Sequence, residues 1–163
     1  MDAVLERHAA KGPNGWLSYT WAHSSYDDVH TGESFDGDFD QRHTVNVFVE
    51  QRVSYRMTVA AKLRYGSNFP IVGYFDGAPP DQMRLGAYRN RVRLPEYLRL
   101  DLRASRTFTF DRRRLTLFVE MVNVTGRANY GRTDGSIRAN LDAIGYVEKL
   151  LPFVPSAGVL IEF

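Results

Sequence analysis

Three aspartates at alternate positions lie in an acidic stretch whose chemistry suits a hard cation. Asp36, Asp38 and Asp40 have the D-x-D-x-D spacing with which EF-hand calcium loops begin. Calcium binding requires several oxygen ligands, but the glycine and distal glutamate of an EF-hand do not follow here. Two interpretations stay open, a calcium site and a solvated external loop, and the second is favoured.

The histidines and the missing cysteines argue against other metal chemistry. His8, His23, His30 and His43 show neither H-x-H nor H-x-x-x-H spacing. The chain has no cysteine, which excludes a disulfide framework, a zinc–thiolate site and a thiol nucleophile. We predict no metal site and no cofactor, and we expect His23 to lie at a membrane interface.

Serine, aspartate and histidine residues occur close together between Ser24 and His30. This is the residue set of a hydrolase with a serine nucleophile. No sequence feature marks a nucleophile elbow or a base held in orientation by a third group. We therefore predict that the chain is not an enzyme.

Five arginines interleaved with two tyrosines form the basic part of the chain. The arginines are Arg89, Arg91, Arg93, Arg99 and Arg103. They alternate along one predicted strand and its loop, and the formal net charge is only +2, so no nucleic-acid partner is expected. Packing along a polar lumen is the favoured role, and binding of an anionic substrate is the alternative.

The elements that must position these residues are strands, because apolar and polar residues alternate through most of the chain. The seven predicted strands are Ala3–Ala10, Trp16–Tyr26, His43–Arg52, Arg56–Gly66, Tyr97–Phe108, Leu115–Val124 and Ser156–Phe163. A tilted strand needs about 9–11 residues to cross a bilayer, whereas strands of soluble proteins have about 5–6. No apolar run reaches the roughly 18 residues of a transmembrane helix.

Short turns and long loops alternate between these strands. Val53–Tyr55 and Asp111–Arg114 are short turns, whereas Asp27–Arg42, Ser67–Glu96 and Thr125–Pro155 are long loops. Outer-membrane barrels have short turns at one end and long external loops at the other. The sequence therefore predicts an all-β, antiparallel up-and-down transmembrane sheet, with about seven strands forming an open or partial barrel.

Charged residues occupy the polar rows of the predicted strands. They are Lys62, Arg64, Arg99, Asp101, Arg103 and Glu120. In a barrel such residues face the lumen, whereas in a soluble β-sandwich they face water. The length of the strands and the alternation of short turns with long loops favour a barrel, in which these residues face the lumen. The mean hydropathy of −0.35 is compatible with a barrel, because its strands average polar and apolar residues.

Two groups of apolar residues fit a membrane environment. Val159, Ile161 and Phe163 lie on one face of the last strand and resemble the C-terminal signal by which the barrel assembly machinery recognises outer-membrane barrels. Aromatic residues near strand ends suit an interfacial girdle. The girdle candidates are Trp16, Tyr19, Trp21 and Tyr65.

Five segments, in order, resemble the C-terminal part of TonB-dependent receptors. Gly15–Trp21 (GWLSYTW) looks like a late strand of that family, and Phe39–His43 (FDQRH) looks like the segment that introduces the next strand. Leu94–Arg103 is similar to the family's LPxYxRLDLR strand. Leu115–Arg127 resembles the strand that ends in NVTNR, with Gly126 where asparagine is common, and Pro152–Phe163 resembles the closing strand.

The resemblance implies a 22-stranded barrel with an N-terminal plug domain, energised through TonB. Residues 1–163 would be the C-terminal section of that barrel, without the plug and the signal peptide. The implied function is uptake of a scarce solute, such as a siderophore, cobalamin or an oligosaccharide, at the bacterial outer membrane. The implied partners are outer-membrane lipid, the barrel assembly machinery, the rest of the receptor, and TonB through the plug, with plug carboxylates pairing the lumen arginines.

Two alternatives remain beside this hypothesis. One is a small outer-membrane barrel without TonB coupling. The other is a soluble β-sandwich or lipocalin-like module, in which the rows Val45–Val49 and Leu98–Leu102 are packed inside. If the chain is a receptor fragment, we expect the genomic reading frame to continue upstream of Met1 into further strands, a plug and a signal peptide.

Overall fold

The computed structural model describes residues 1–111 and 113–163, and every regular element in them is a β-strand. In chain order the strands are β1 (Asp2–Arg7), β2 (Asn14–Trp21), β3 (Ser25–Asp27), β4 (Ser34–Asp36), β5 (His43–Arg52), β6 (Met57–Gly66), β7 (Tyr74–Ala78), β8 (Gln82–Arg89), β9 (Tyr97–Phe110), β10 (Arg113–Val122), β11 (Tyr130–Arg132), β12 (Ser136–Ile137), β13 (Ala143–Ile144), β14 (Val147–Lys149) and β15 (Val154–Glu162). Strands make up 61% of the chain. No helix in the described part of the chain is long and apolar enough to cross a membrane.

Seven of these strands form one antiparallel sheet in the order β1-β2-β5-β6-β9-β10-β15. Each strand pairs with the strand that precedes and follows it in this set, so the predicted all-β, up-and-down arrangement is confirmed. The sheet is open. Its edges are β1 and β15, which do not pair with each other in the described residues.

All seven predicted strands are present in the sheet, but several of their ends differ from the prediction, as in β1, which ends at Arg7 instead of Ala10. β5 matches its predicted range, whereas β2 ends at Trp21, and Tyr26 belongs to β3. The three long loops are not irregular, because they contain four two-stranded sheets. In the predicted turn Asp111–Arg114, Arg112 lies outside the described residues.

Strand register gives the sheet two chemically different faces. Residues directly opposite each other in neighbouring strands share a face. One row across five strands, on the face we call the apolar face, consists of Leu5, Leu17, Val47, Leu63 and Leu100. On the opposite face, which we call the polar face, one row joins Phe48, Lys62 and Asp101, and another joins Ala60, Arg103 and Glu120.

The apolar face has no covering layer among the described residues. Val49, Val119 and Val159 are 41%, 54% and 58% exposed, and no residue of the rows Val45–Val49 and Leu98–Leu102 is buried. A β-sandwich would bury these rows between two sheets. The described chain does not have that arrangement.

The buried apolar residues lie in the three long connections at one end of the sheet. We call residues 22–42, 67–96 and 123–153 the loop platform. Its core consists of Ile71, Phe75, Met83, Val92, Leu94 and Ala143, with Tyr130, Tyr146 and Val147 packed against it. The Phe75 and Tyr146 ring centroids are 4.7 Å apart. Burying each large apolar side chain stabilises the platform by about 1.5–3 kcal/mol, so the platform packs without needing the apolar face of the sheet.

Buried asparagines connect the platform to the sheet. Asn129 hydrogen bonds both backbone groups of Leu98, donating to its carbonyl over 2.9 Å and accepting from its N–H over 2.8 Å. Asn123, at the end of β10, has φ 52° and donates to the carbonyls of Arg127 and Leu151. Asparagine tolerates this left-handed backbone better than most residues and here satisfies buried carbonyl groups.

Candidate functional site

All six charged residues predicted to face a lumen lie on the polar face. Arg99 holds Asp101 in a bidentate pair, with Nε–Oδ1 and Nη2–Oδ2 distances of 2.7 Å each. Asp101 Oδ1 also accepts the backbone N–H of Asn123 over 2.9 Å. This pair therefore fixes the end of β10, where the third section of the platform begins.

Among the six predicted lumen residues, four are cations and two are carboxylates. Arg103 lies 3.7 Å from Glu120, and its guanidinium stacks over Phe118 at 4.1 Å. Arg64 lies opposite Arg99 and over the Tyr97 ring, and Lys62 lies opposite Asp101. Within the described part of the chain, neither Arg64 nor Lys62 forms an ion pair at 4 Å or closer.

The predicted aromatic girdle is divided between the two faces. Tyr19, Trp21 and Tyr65 lie on the apolar face near the platform, where Tyr19 bonds His43 over 2.9 Å and Tyr65 donates to Glu96 over 3.1 Å. Trp16 instead lies on the polar face and stacks on Phe48, with centroids 6.5 Å apart. Trp16 therefore does not belong to the same row, because it is one position out of phase with Leu17.

The three residues of the predicted assembly signal lie along the apolar side of the edge strand β15 and just beyond it. Val159 is opposite Leu117, and Ile161 is opposite Leu115. Phe163 is 89% exposed, and the Arg113 guanidinium lies 5.5 Å from its ring centroid. All three side chains are accessible to another molecule.

A group of ion pairs at the boundary of sheet and platform joins the acidic segment to the arginine run. We call Asp36, Asp40, Arg42 and Arg93 the ion-pair cluster. Arg93 contacts both Asp36, at 2.7 Å, and the fully buried carboxylate of Asp40. Arg42 also reaches both, at 2.9 Å and 3.1 Å. The cluster therefore ties residues 36–42 to the end of the second platform section.

Asp38 is held by a separate set of contacts. Its carboxylate accepts from Asn90 Nδ2 over 2.7 Å and lies 3.6 Å from Arg89. Its backbone carbonyl accepts from Arg132 over 2.7 Å, which brings in the third platform section. Each of the three aspartates of the D-x-D-x-D segment thus has a protein partner, and the favoured expectation of a solvated loop is wrong for Asp40.

The arginines keep the cluster aspartates ionised. Burial opposes ionisation of Asp36, but hydrogen bonding and the charges of Arg93 and Arg42 outweigh it and lower its pKa. Burial likewise opposes ionisation of Asp40, yet the Ser24 N–H and both arginines lower its pKa. The same contacts raise the pKa of Arg42, chiefly through its hydrogen bond to Asp40.

One group of side chains has the spacing of a metal site, but arginines already occupy it. Ligand atoms of His23, Asp36 and Asp40 lie within 4.8 Å of one another. Both carboxylates are bonded to Arg42 and Arg93, and His23 lies 3.5 Å from Asp36. A cation would have to displace two guanidinium groups, so the donor set does not fit a metal.

The serine, aspartate and histidine residues of the first loop pair in a different way from a hydrolase. Ser34 donates to Asp27 over 2.6 Å, and His30 lies 3.7 Å from Asp28. The backbone N–H of His30 is the main cause of the lowered pKa of Asp28. These contacts stabilise the turn between β3 and β4.

A cleft of about 530 Å³ lies beside the ion-pair cluster, between the β3–β4 and β7–β8 hairpins. Its wall includes His23, Glu33, Phe35, Tyr88, Arg89 and Arg91. Arg89 stacks over Phe35 at 4.6 Å, and Arg91 stacks over Tyr88 at 5.3 Å. The volume is within the range of small-molecule sites, and the wall combines aromatic faces with polar groups of both charges.

Comparison with protein-family models, curated proteins and solved structures found no match to this chain.

The ion-pair cluster was missed from the sequence, although a signal for it exists. The stretch from Asp27 to Asp40 has no lysine or arginine, and Arg89, Arg91 and Arg93 follow in the next loop. Their opposite charges are complementary. The alternation of these arginines with other residues predicts a lumen position, whereas the structure places Arg89, Arg91 and Arg93 in the platform.

Replacing Arg93 by methionine tests the ion-pair cluster. The variant leaves the buried Asp40 carboxylate with one guanidinium instead of two, and we expect a loss of about 3 kcal/mol in platform stability. The matched control is Arg91→Met, which removes only the contact with Tyr88 and should cost less than about 1 kcal/mol. Hydrogen exchange of platform amides, followed by mass spectrometry, measures both.

The pH dependence of platform protection is a second test of the ion-pair cluster. The pKa values of Asp36 and Asp40 are lowered in the folded state, so the unfolded chain binds more protons near its ordinary carboxyl pKa of 3.8. Platform protection should therefore be full above about pH 5 and fall as the pH drops through 4 and below. The fall should be smaller in Arg93→Met. If the original chain and the Arg93→Met variant lose platform protection equally as the pH falls, the cluster does not have this role.

Proposed function

We propose that this chain forms part of the wall of a bacterial outer-membrane barrel, as the C-terminal section of a TonB-dependent receptor that imports a scarce solute. The observation that carries the proposal is the two-faced sheet. Seven up-and-down strands expose an uncovered apolar face and carry ion pairs on the other. Lipid outside and a polar lumen inside are the environments that such a sheet requires.

The dimensions of the apolar face support a membrane setting. On β9 this face carries Leu98, Leu100, Leu102 and Ala104 without interruption before Arg106. The eight residue steps from Leu98 to Arg106 span about 26 Å at about 3.3 Å per residue. Tilting the strand by about 40° lowers this to a height of about 20 Å, close to the roughly 25 Å apolar band of outer-membrane barrels.

The open edges support placement in a larger barrel. Unpaired backbone groups are costly in lipid because no water is present to satisfy them. In the proposal, other strands of the receptor pair with β1 and β15, and the assembly machinery recognises Val159, Ile161 and Phe163. The TonB coupling itself rests on the resemblance of segments such as Phe39–His43 and Leu94–Arg103, and TonB acts through the plug.

The polar face of the sheet and the loop platform at its end together support a role in solute uptake. In the proposed orientation the polar face lines the lumen, where Lys62 and Arg64 supply charge for carboxylates of a plug or of a solute. The platform, with its packed core and its cleft, forms the external surface that meets the solute first. A siderophore, cobalamin or an oligosaccharide belongs to the class of solutes expected.

Two adjacent alanines in β6 provide a matched test of which face contacts lipid. Ala61 lies between Val49 and Leu102 on the apolar face, whereas Ala60 lies between Glu50 and Arg103 on the polar face. With the chain folded in phospholipid vesicles, Ala61→Arg should cost about 2–4 kcal/mol and Ala60→Arg less than about 1 kcal/mol, measured from urea unfolding midpoints. Equal costs, or a larger cost at position 60, would contradict the assignment.

The two tryptophans report the environment of each face directly. Trp21 lies on the apolar face and Trp16 on the polar face. In vesicles that contain lipids brominated near the headgroup, we expect strong fluorescence quenching of Trp21 in a Trp16→Phe variant. The Trp21→Phe variant, which retains only Trp16, should be quenched weakly. A soluble module would show no quenching in either variant, and this result would overturn the membrane proposal.

A further inference from the structure

Arginines interrupt the apolar face at the end far from the platform. Arg106 lies opposite both Met57 and Leu117, and Arg113 lies opposite Phe110. Phe108 and Leu115 form the row between these two arginines. These charged residues contrast with the apolar residues that β9 carries on the same face from Leu98 to Ala104.

Each of these arginines is stacked on an aromatic ring. The Arg106 guanidinium is 5.1 Å from the Phe108 centroid, and that of Arg113 is 5.5 Å from the Phe163 centroid. Both arginines are exposed. Stacking on a ring face leaves the N–H groups at the edge of the guanidinium available as donors.

No carboxylate neutralises these two guanidinium groups in the described part of the chain. The ion pair nearby joins Arg114 to Glu162 over 3.4 Å, on the opposite side of the same strands. Arg106 and Arg113 form no ion pair within 4 Å among the described residues. Two exposed cations thus border an exposed apolar surface, with aromatic rings between them.

We propose that Arg106 and Arg113, with Phe108 and Phe163, bind the phosphate groups of glycerophospholipids at the short-turn end of the sheet. The proposal rests on the proposed membrane function and adds the chemical class that this rim recognises. A phospholipid matches the surface in two respects. Its acyl chains cover the apolar rows, and its phosphate meets the arginines, which donate two hydrogen bonds to such a group.

A soluble anion or an acidic protein segment would satisfy the arginines but not the adjacent apolar surface. Leu117, Val119 and Val159 are each more than 40% exposed and continue directly from this rim toward the platform. A ligand with a charged head and long apolar chains covers both parts of the surface. The arrangement therefore favours a lipid over the other two ligands.

The test measures partition of the full chain into phosphatidylcholine vesicles with and without phosphatidylglycerol. A juxtamembrane arginine near an anionic surface strengthens binding about fivefold. We expect Arg106→Gln with Arg113→Gln to weaken binding to the anionic vesicles by about 30-fold. The control is Arg91→Gln. Arg91 is also stacked on an aromatic ring, at 5.3 Å, but it lies in the platform. Its replacement should change vesicle binding less than twofold.

Three further outcomes separate the explanations. If the Arg106 and Arg113 double variant binds like the original chain, or Arg91→Gln loses as much, the lipid rim is overturned. If the original chain binds inorganic phosphate as tightly as it binds a short-chain phosphatidylglycerol, the apolar surface adds nothing to binding, and the lipid assignment is also overturned. If the original chain binds neither type of vesicle, and Trp21 is not quenched, the result overturns the proposed membrane function itself. The lipid site, which rests on that function, is then overturned with it.

Discussion

Register between neighbouring strands is the constraint on which the rest of this structure depends. Side chains alternate with a period of two, so a slip of one residue would exchange the faces of a whole strand. The row from Leu5 to Leu100 stays continuous because five strands keep the same phase. The pairing of Arg103 with Glu120 depends on the same phase on the other side of the sheet.

Sheet and platform are stabilised in different ways. The sheet has backbone hydrogen bonds between every pair of neighbouring strands but no buried apolar side chain within its seven strands. The platform has a core around Ile71 and Phe75, and the ion-pair cluster joins its first and second sections. Asn129 and the Arg99–Asp101 pair connect the two parts. The platform can therefore hold a defined shape even though it is built from loops.

The sheet could be predicted from the sequence, but most of the platform could not. Long alternating segments such as His43–Arg52 carry a strong strand signal, and short turns predict which of them pair as hairpins, such as β5 with β6. The strands β11 to β14 have two or three residues each, too few for a periodic signal, and they form because distant segments meet. The residue type of Trp16 favours an interfacial girdle, but its phase relative to Leu17 places it on the other face. Arg93 pairs with Asp36 and Asp40, which lie in a different loop. The alternation of polar and apolar residues does not predict such a contact.

The sequential order of the strands has a consequence for how such a sheet grows and changes. Each strand pairs only with its sequence neighbours in the sheet, so a nascent sheet can extend one strand at a time. The chain closures alternate between short turns and the longer sections of the platform. Gain or loss of a hairpin at an edge leaves the remaining pairings intact and needs no rethreading of the chain. This topology therefore allows duplication of hairpins to change the width of the sheet over evolutionary time, while each inherited strand retains its two faces.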